Sequence, residues 1–403
     1  MSKMNIKNKI LGSSYTVGTH VIQNRLAIHP MEGRDSNEDG SPGELAVRRY
    51  KRLAEGGAGL IWYEAVAVTS ECRGSIRQQY IHEGNISAYA KLLTQIREIA
   101  QRETGVTPVI ILQATHNGRY TKKDGIPAPV IARNNPVLEA DNPIPPERIV
   151  TDDELKKIED DFANAVKYAQ LAGFDGIDIK ACHGYLISEL LASFTRPGIY
   201  GGSYENRTRF MRNCVDAARA VSPKEFIITT RMNIYDGYPH PYGFGMAEER
   251  ELEPDLTEPV KLLKELKFDI VNITMGNPYF NSYVNRPVDM DGVERQKTLT
   301  KQVSLAVPDT AFVATGLSYL RDKAPAAAAE YIEAGIGTAI GFGRLAFAYP
   351  NFARDMLEDS FDSKQVCTAC GLCSVLMRSG QSPGCVVRDE VYKKIYKETI
   401  KEK

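Results

Sequence analysis

Three titratable side chains follow one short apolar run in the middle of the chain. Segment 173–186 reads GFDGIDIKACHGYL and places Lys180, His183 and Tyr185 within six residues of one another. Acid–base catalysis uses side chains of these types when they are held at the end of a buried strand. A single histidine or tyrosine is more often structural, but three such groups followed by YGGSYENR at 200–207 favour a catalytic segment.

A second group of reactive residues lies in the last tenth of the chain, with the pattern Cys367-x2-Cys370-x2-Cys373-x11-Cys385. Three thiolates on one tight loop and a distant fourth can hold a [4Fe-4S] cluster. Structural zinc is the alternative, but zinc ribbons usually use two Cys-x2-Cys pairs, and the second pair is missing here. A disulfide framework is disfavoured by the odd number of cysteines and by the large size of the chain. We interpret the other three, Cys72, Cys182 and Cys214, as ordinary buried thiols.

The composition is that of a soluble globular protein. The 403 residues are 43% hydrophobic and 25% charged, with a formal net charge of −1. No basic stripe suggests nucleic acid, and no apolar run reaches the ~20 residues that a membrane span needs. The N-terminal residues lack the apolar core of an export signal, so we expect a cytoplasmic protein.

Short apolar runs alternate with longer segments of helical period, which predicts parallel strands joined by helices. Several runs are apolar throughout, as expected for strands buried on both faces. A doubly wound sheet is the rival architecture, but no Gly-x-Gly-x-x-Gly follows an early strand, so we favour an eight-stranded (β/α)8 barrel. The predicted strands are Leu26–Met31, Leu60–Val68, Val109–Thr115, Gly176–Ala181, Phe226–Asn233, Phe268–Met275, Ala311–Thr315 and Gly337–Gly343.

Helices are predicted between these strands. Thr151 and Glu154 form a capping box at the start of one of them. Two long segments, 118–148 and 277–296, are predicted to be irregular. Because each follows a predicted strand, each would lie at the catalytic end of the barrel as a lid, a pocket wall or a surface loop. The predicted helices are Glu44–Ala54, Ala88–Arg102, Asp152–Leu171, Asn206–Ala220, Glu258–Leu266 and Ala326–Ala334.

Several motifs in chain order resemble the old yellow enzyme family of FMN-containing reductases. The catalytic segment with YGGSYENRTRF resembles the family signature. The segments 24–31, 113–119, 230–231 and 341–344 resemble its motifs on strands 1, 3, 5 and 8. The resemblance covers nearly all of the predicted barrel, 1–358. The cysteine-rich tail, 359–403, places the chain in the branch that contains 2,4-dienoyl-CoA reductase.

The resemblance implies which residues bind FMN. Against the isoalloxazine would lie Pro30, Met31 and Ala65, and Glu32 would lie near flavin O4. Gln113 would hydrogen-bond the pyrimidine edge, and Arg231 would place positive charge near N1 and O2. The phosphate would be bound by Gly316, Leu317, Gly343 and Arg344. The phosphate assignment also agrees with the usual phosphate site of such barrels, which is formed by the loops after strands 7 and 8.

The reaction implied is reduction of a carbon–carbon double bond conjugated to a carbonyl. FMN would deliver hydride to the β-carbon, Lys180 and His183 would hydrogen-bond the carbonyl oxygen, and Tyr185 would protonate the α-carbon. The neighbouring lysine would lower the pKa of Tyr185 and make it a better acid. Lys180 stands where most relatives have histidine, and Glu32 where they have a small residue. We hypothesise that Glu32 and Lys180 form an ion pair, since each would otherwise be an unpaired buried charge.

Two differences from the sequence pattern of dienoyl-CoA reductase bear on the predicted substrate and on the type of cluster. The loop after strand 6 lacks the histidine that the reductase has there, and Tyr279, Tyr283 and Arg286 would line the pocket instead. A CoA thioester is therefore in doubt, and an enone, an enoate or a cyclic, steroid-like substrate fits as well. The reductase also has three residues between its second and third cysteines, where this chain has two.

The electron donor and the alternatives remain open. The chain ends after the tail, so we expect electrons either from NAD(P)H stacked on FMN or from an electron-donor protein through the cluster. An amine dehydrogenase or demethylase is the main alternative, and an electron-transfer subunit with a vestigial pocket is another. A flavin enzyme that reduces uridine in transfer RNA is disfavoured by the lack of a basic face. Barrels of this family often self-associate, so a homo-oligomer is also open.

Overall fold

Eight parallel strands close into a barrel, as predicted. The computed structural model describes residues 6–401. Residues 1–5 and 402–403, which belong to the predicted regions 1–358 and 359–403, lie outside it. Each strand pairs with its neighbours in sequence, and the last pairs with the first. The strands are β1 Leu26–Ile28, β2 Leu60–Ala67, β3 Val109–Thr115, β4 Gly176–Ile179, β5 Ile227–Asn233, β6 Ile270–Thr274, β7 Ala311–Ala314 and β8 Ala339–Phe342.

Alternate residues of each strand point into the barrel. Near the N-terminal ends these residues are apolar and pack with an antiparallel hairpin, Tyr15–Val17 with His20–Ile22, that closes this end. Further along the same inner faces the residues are polar, as with Gln113 on β3 and Arg231 on β5. One alternating pattern therefore fills the lower barrel with apolar side chains and presents polar side chains at its C-terminal mouth.

Helices surround the barrel, and all six predicted ones are present with ends within two residues of the prediction. The capping box of Thr151 and Glu154 is also present. The helices are α1 Glu44–Ala54, α2 Ile86–Thr104, α3 Asp152–Ala172, α4 Tyr204–Val221, α5 Thr257–Leu266, α6 Met290–Ala306, α7 Ala324–Glu333 and α8 Phe352–Leu357. Further helices lie at Ile6–Leu11, Leu186–Leu191, Ser282–Asn285, Arg344–Ala348, Leu372–Arg378 and Glu390–Lys401, and 3₁₀ turns at Glu83–Asn85, Gly118–Tyr120, Pro146–Arg148 and Leu317–Lys323.

Helix α6 is absent from the sequence prediction, which was wrong to extend an irregular segment to residue 296. The helix begins after Asp289, whose side chain accepts a hydrogen bond from the backbone N–H of Gly292. Its buried face includes Gln296, Thr300 and Ser304 beside apolar residues. Because polar residues occupy part of the buried face, the apolar period is weak and did not indicate a helix.

Segment 118–148 is largely irregular, as predicted, and contains a small hairpin of Lys122–Lys123 with Ile126–Pro127. It does not line the barrel pocket. Its Arg119 instead forms buried ion pairs with Glu139 (2.7 Å) and with Glu189 of the short helix Leu186–Leu191. These pairs fix the loop after β3 against the helix that follows the catalytic segment.

The cysteine-rich tail packs across the mouth of the barrel. Asp389 accepts hydrogen bonds from Arg48 (2.8 Å) and from Arg52 of α1. Arg34 donates to the Met377 carbonyl at 2.9 Å, and Arg286 donates to Ser374 Oγ at 2.6 Å. The tail is therefore attached to helix α1 and to the loops after β1 and β6.

Within residues 6–401 we find no helix that combines the length and the apolar character needed to cross a bilayer.

Candidate active site

A deep pocket opens at the C-terminal mouth of the barrel, with about 1130 Å³ of empty space including its open part. All the predicted catalytic and FMN-binding residues except Leu317 line this pocket. Leu317 is fully buried in the core, so only its backbone can serve a ligand there. The structure thus brings together residues from the ends of seven strands and the loops after them.

Lys180 is the most unusual cation of the pocket. Only 4% of it is exposed, and its Nζ lies 3.7 Å from the centroid of the Tyr185 ring. It forms no ion pair with any described residue. Burial lowers the pKa of Lys180, since little water remains to solvate the ammonium.

The hypothesised ion pair between Glu32 and Lys180 is wrong. Glu32 Oε1 accepts instead from Arg34 Nε at 3.1 Å, and both side chains are mostly buried. Arg34 is two residues away and adopts a φ of +46°, a left-handed conformation. That turn brings the Arg34 guanidinium back to Glu32. The negative charge of the Glu32 carboxylate is therefore paired with Arg34 and not with Lys180.

His183 is held as a neutral imidazole. Burial, together with the charges of Arg231 and Lys180, holds its pKa well below its usual range. The Asn285 amide lies 3.0 Å from His183 Nε2 and also donates to the Met275 carbonyl. Since the carbonyl can only accept, the amide group facing both atoms is the NH₂, and Nε2 accepts from it. The ring proton is then on Nδ1, which makes His183 a hydrogen-bond donor through that atom.

Tyr185 is a buried phenol whose hydroxyl lies 3.0 Å from that of Tyr279. Burial, and then the neighbouring Tyr279 and Glu32, raise its pKa well above its usual value. The predicted lowering of this pKa was therefore wrong, because burial raises it and only the more weakly acting charge of Arg34 opposes the rise. A raised pKa keeps Tyr185 protonated, so it is available as a proton donor at neutral pH.

Gln113 is oriented by Asp178, a residue whose role sequence reasoning missed. The Gln113 Nε2 donates to Asp178 Oδ2 at 2.5 Å, and Trp62 Nε1 donates to the same oxygen at 2.8 Å. The backbone N–H of Arg231 donates to the other oxygen at 2.7 Å. Burial raises the pKa of Asp178 to about 6. Because its Nε2 is engaged, Gln113 presents its carbonyl oxygen as the free acceptor.

Ala65 reaches the pocket because strand β2 has a bulge. The register of β2 against β3 shifts between Tyr63 and Ala65. The extra residue, Glu64, turns away and pairs with the buried Arg49 at 2.5 Å. Without the shift, the carboxylate rather than the methyl group would point inward.

Two glycines allow close packing in the pocket wall where the loops after β7 and β8 meet. A Cβ at Gly316, which has a φ of +97°, would lie 2.1 Å from Gln296 Oε1. A Cβ at Gly343 would lie 2.7 Å from Met31 Sδ. Arg344 also lines this wall. Backbone of pocket-lining glycines beside an arginine is the chemistry that a phosphate group requires.

The buried guanidinium of Arg231 makes the pocket suited to an anionic ring. Its Nε is buried and has no hydrogen-bond partner among the described residues. Burial lowers its pKa, so holding the guanidinium here is unfavourable without an anion. The residues present therefore fit FMN at both its ring and its phosphate.

The loop after β6 contributes another wall. Pro278, Tyr279 and Arg286 line the pocket, whereas Tyr283, predicted to do so, is 56% exposed and lies outside the lining. The buried Asn277 fixes the loop, because its amide donates to Tyr120 Oη at 2.8 Å and its carbonyl accepts from the Tyr279 N–H at 2.9 Å.

The four tail cysteines are free thiols, and Cys373 lines the pocket beside Ser374 and Met377. Over residues 6–401, no three His, Cys, Asp or Glu side chains come close enough to hold a metal ion. The predicted [4Fe-4S] cluster therefore stays a prediction. Cys72, Cys182 and Cys214 are buried, as predicted.

Comparison with known proteins identifies the family. Residues 13–360 match the model of the NADH:flavin oxidoreductase / NADH oxidase family. The chain belongs to this family. It is an FMN-dependent oxidoreductase, and its family works with a nicotinamide donor. An NADPH dehydrogenase of Clostridium acetobutylicum is 29% identical over 266 residues, which cover 65% of this chain and 73% of the relative.

Solved structures share the fold of this flavin oxidoreductase. A 2-naphthoyl-CoA reductase complex aligns with a TM-score of 0.78 at 19% identity, over 94% of this chain and 57% of that one. Histamine dehydrogenase from Rhizobium sp. 4-9 gives 0.74 at 20%, over 94% and 52%. Morphinone reductase gives 0.66 at 20%, over 87% and 91%. This chain thus spans little more than half of the first two proteins.

Proposed function

We propose that this flavin oxidoreductase is an ene-reductase that reduces a carbon–carbon double bond conjugated to a carbonyl. The observation that carries the proposal is the meeting of Lys180, His183 and Tyr185 in the pocket that also fits FMN. Two hydrogen-bond donors and one proton donor are what reduction of an enone requires from the protein. Morphinone reductase and NADPH dehydrogenase among the similar proteins support a reductase.

FMN would be held by the residues predicted for it. The ring would lie against Pro30, Met31 and Ala65, with Gln113 and Arg231 at its polar edge. The phosphate would take Gly316, Gly343, Arg344 and the backbone of Leu317. When bound, FMN supplies the hydride that the substrate's β-carbon receives.

The protein's own groups act on the carbonyl end of the substrate. Lys180 and the Nδ1–H of His183 hydrogen-bond the carbonyl oxygen and stabilise the negative charge that develops there. Tyr185 donates its hydroxyl proton to the α-carbon, which its raised pKa permits because the phenol stays protonated. The cation beside the ring also stabilises the phenolate left behind.

The test separates the two half-reactions. Tyr185→Phe should leave reduction of the flavin by NADPH unchanged and slow reoxidation by an enone about 10²-fold or more. Stopped-flow absorbance under anaerobic conditions measures both rates. Reoxidation at the wild-type rate would contradict the proton-donor role. Oxidation of an amine without any enone reduction would instead favour an amine dehydrogenase.

The substrate site would be bounded partly by the tail. Met377 and Pro383 line the pocket from the tail, and Phe347 and Tyr279 line it from the barrel. These apolar and aromatic walls favour a flat cyclic enone over a long charged thioester. NAD(P)H is the proposed donor, and a protein partner is the alternative.

We also propose that residues 359–403 form a separate iron–sulfur region. The Cys-x2-Cys-x2-Cys-x11-Cys spacing supports it, as does the position of the free thiol of Cys373 in the pocket wall. Four irons with acid-labile sulfide per chain in anaerobically purified protein are expected. Zinc without iron would replace the cluster with a structural metal and leave the barrel chemistry unchanged.

A further inference from the structure

Tyr279 hydrogen-bonds the buried proton donor and is itself partly exposed. Tyr185 is 4% exposed, whereas Tyr279 is 38% exposed. Their hydroxyl oxygens are 3.0 Å apart, a normal hydrogen-bond distance. In the described residues, no other hydrogen-bond partner reaches the Tyr185 hydroxyl. A proton that leaves this buried hydroxyl therefore has one protein route by which it can be replaced.

The position of Tyr279 is built into the loop after β6. Asn277, fully buried, binds the Tyr279 backbone and the Tyr120 hydroxyl at once. The Tyr120 ring packs against the Tyr279 ring with centroids 4.1 Å apart. Two ring contacts and a fixed backbone hold the Tyr279 hydroxyl towards Tyr185, so the contact between the hydroxyls is not that of a freely rotating surface tyrosine.

We propose that Tyr279 is a relay residue, which returns a proton from solvent to the phenolate of Tyr185. The inference rests on the proposed function, since it concerns the proton that Tyr185 gives to the substrate. Tyr279 touches Tyr185 rather than the reacting carbon, so its role is to position and reprotonate the acid.

The proton transfers balance without any added reagent. The O–H bond of Tyr185 breaks as a C–H bond forms at the α-carbon, leaving a phenolate. The Tyr279 hydroxyl then gives its proton to that phenolate, and water protonates Tyr279 in turn. Over one turnover, one proton passes from solvent to substrate, and both tyrosines end as they began.

Tyr279→Phe tests the relay, with Tyr283→Phe as the matched control. Both changes remove one phenol oxygen from the loop after β6, but Tyr283 is 56% exposed and lies outside the pocket lining. Full-length enzyme with bound FMN is reduced without oxygen and mixed with cyclohex-2-enone. We expect Tyr279→Phe to slow flavin reoxidation about 10- to 100-fold, because the phenolate of Tyr185 is then no longer reprotonated through Tyr279. We expect Tyr283→Phe to stay within about twofold of wild type.

Chemical rescue gives a readout that a purely structural role would not move. A small weak acid, imidazole, is added during NADPH-driven turnover of cyclohex-2-enone. If Tyr279 carries the proton, imidazole restores turnover of Tyr279→Phe in proportion to its concentration and leaves wild type and Tyr185→Phe unchanged. An unchanged reoxidation rate in Tyr279→Phe, or a slow rate that imidazole does not restore, overturns the relay.

The experiments distinguish failure of the Tyr279 relay from failure of the proposed ene-reductase function. Failure of the relay alone leaves a wild-type enzyme that is reoxidised by the enone and a Tyr185→Phe variant that is not. If wild-type reduced flavin is not reoxidised by the enone, the reaction that the relay serves is absent, and both proposals are overturned.

Discussion

Replacing Lys180 with methionine should make the protein more stable and the enzyme slower. Methionine keeps a flexible unbranched side chain of similar reach but removes the ammonium. In the structure that ammonium is almost fully buried, contacts the Tyr185 ring at 3.7 Å and has no carboxylate partner among the described residues. Its lowered pKa shows that folding disfavours the charge at this position.

The size of each effect follows from these contacts. Burying an unpaired ion costs several kcal/mol, and a desolvated cation–π contact returns up to about 2 kcal/mol. We therefore expect Lys180→Met to raise the free energy of unfolding by about 1–3 kcal/mol. A hydrogen bond from a charged donor contributes about 1.5–3 kcal/mol, so loss of the ammonium should slow flavin reoxidation by an enone about 10- to 150-fold.

Two assays on the same variant measure these effects. Urea denaturation of FMN-free protein gives the free energy of unfolding without a contribution from ligand binding. Anaerobic stopped-flow absorbance gives the reoxidation rate. Lys157→Met, at an exposed position of α3, is the matched control and should change either quantity very little. A Lys180→Met protein that is less stable than wild type, or equally fast, would refute the reasoning.

Three further predictions follow from the buried charges. Burial raises the pKa of Asp178 from 3.8 to about 6, so its contribution to stability is present below pH 3.8 and is lost as pH rises through 6. Asp178→Asn should thus flatten the pH dependence of the free energy of unfolding between pH 4 and 7, and parallel urea-denaturation profiles would contradict this. Arg119→Met leaves two buried carboxylates unpaired and should cost about 3–5 kcal/mol in the same assay, so a loss below about 1 kcal/mol would be inconsistent. In double-mutant cycles, Glu32→Gln should couple with Arg34→Met by more than about 0.5 kcal/mol and more strongly than with Lys180→Met, and the reverse order would restore the discarded ion pair.

The barrel strands could be predicted because they are buried on both faces. Strands β2 and β3 are completely buried, and this produces the mostly apolar runs that the sequence shows. Helix α6 could not be predicted in the same way, because Gln296 and Thr300 occupy its buried face. Gln296 fixes the loop after β6, since its amide donates to the Val284 and Asn285 carbonyls. A buried polar residue that holds a loop therefore interrupted the apolar pattern that would have indicated the helix.

Residue types and spacing predicted which side chains line the candidate site. They did not predict which residues the charged side chains of the site bind. Asp178 lies two residues before Lys180 on β4, so strand alternation already placed both on the inner face. That signal could have identified Asp178 as a partner of the predicted Gln113. The ion pair of Glu32 with Arg34 depends on a left-handed backbone conformation at Arg34, which an arginine rarely adopts. Sequence spacing predicts which face a charge lies on, but which of several nearby charges it meets depends on loop geometry.

The surplus of positive charge in the pocket links folding to function. The described residues that line the pocket include four cations, Lys180, Arg231, Arg286 and Arg344. The carboxylate of the lining residue Glu32 is paired with Arg34, which does not line the pocket. Burial lowers the pKa of the first three, and Arg286 and Arg344 repel each other as well. Such an arrangement is unfavourable in the empty pocket and becomes favourable when anions enter it. A flavin phosphate, the negative charge of a reduced flavin and the charge that develops on a substrate carbonyl would supply these anions. These buried cations lower the stability of the empty protein. The same cations can therefore stabilise a bound anion and the negative charge that develops in the transition state.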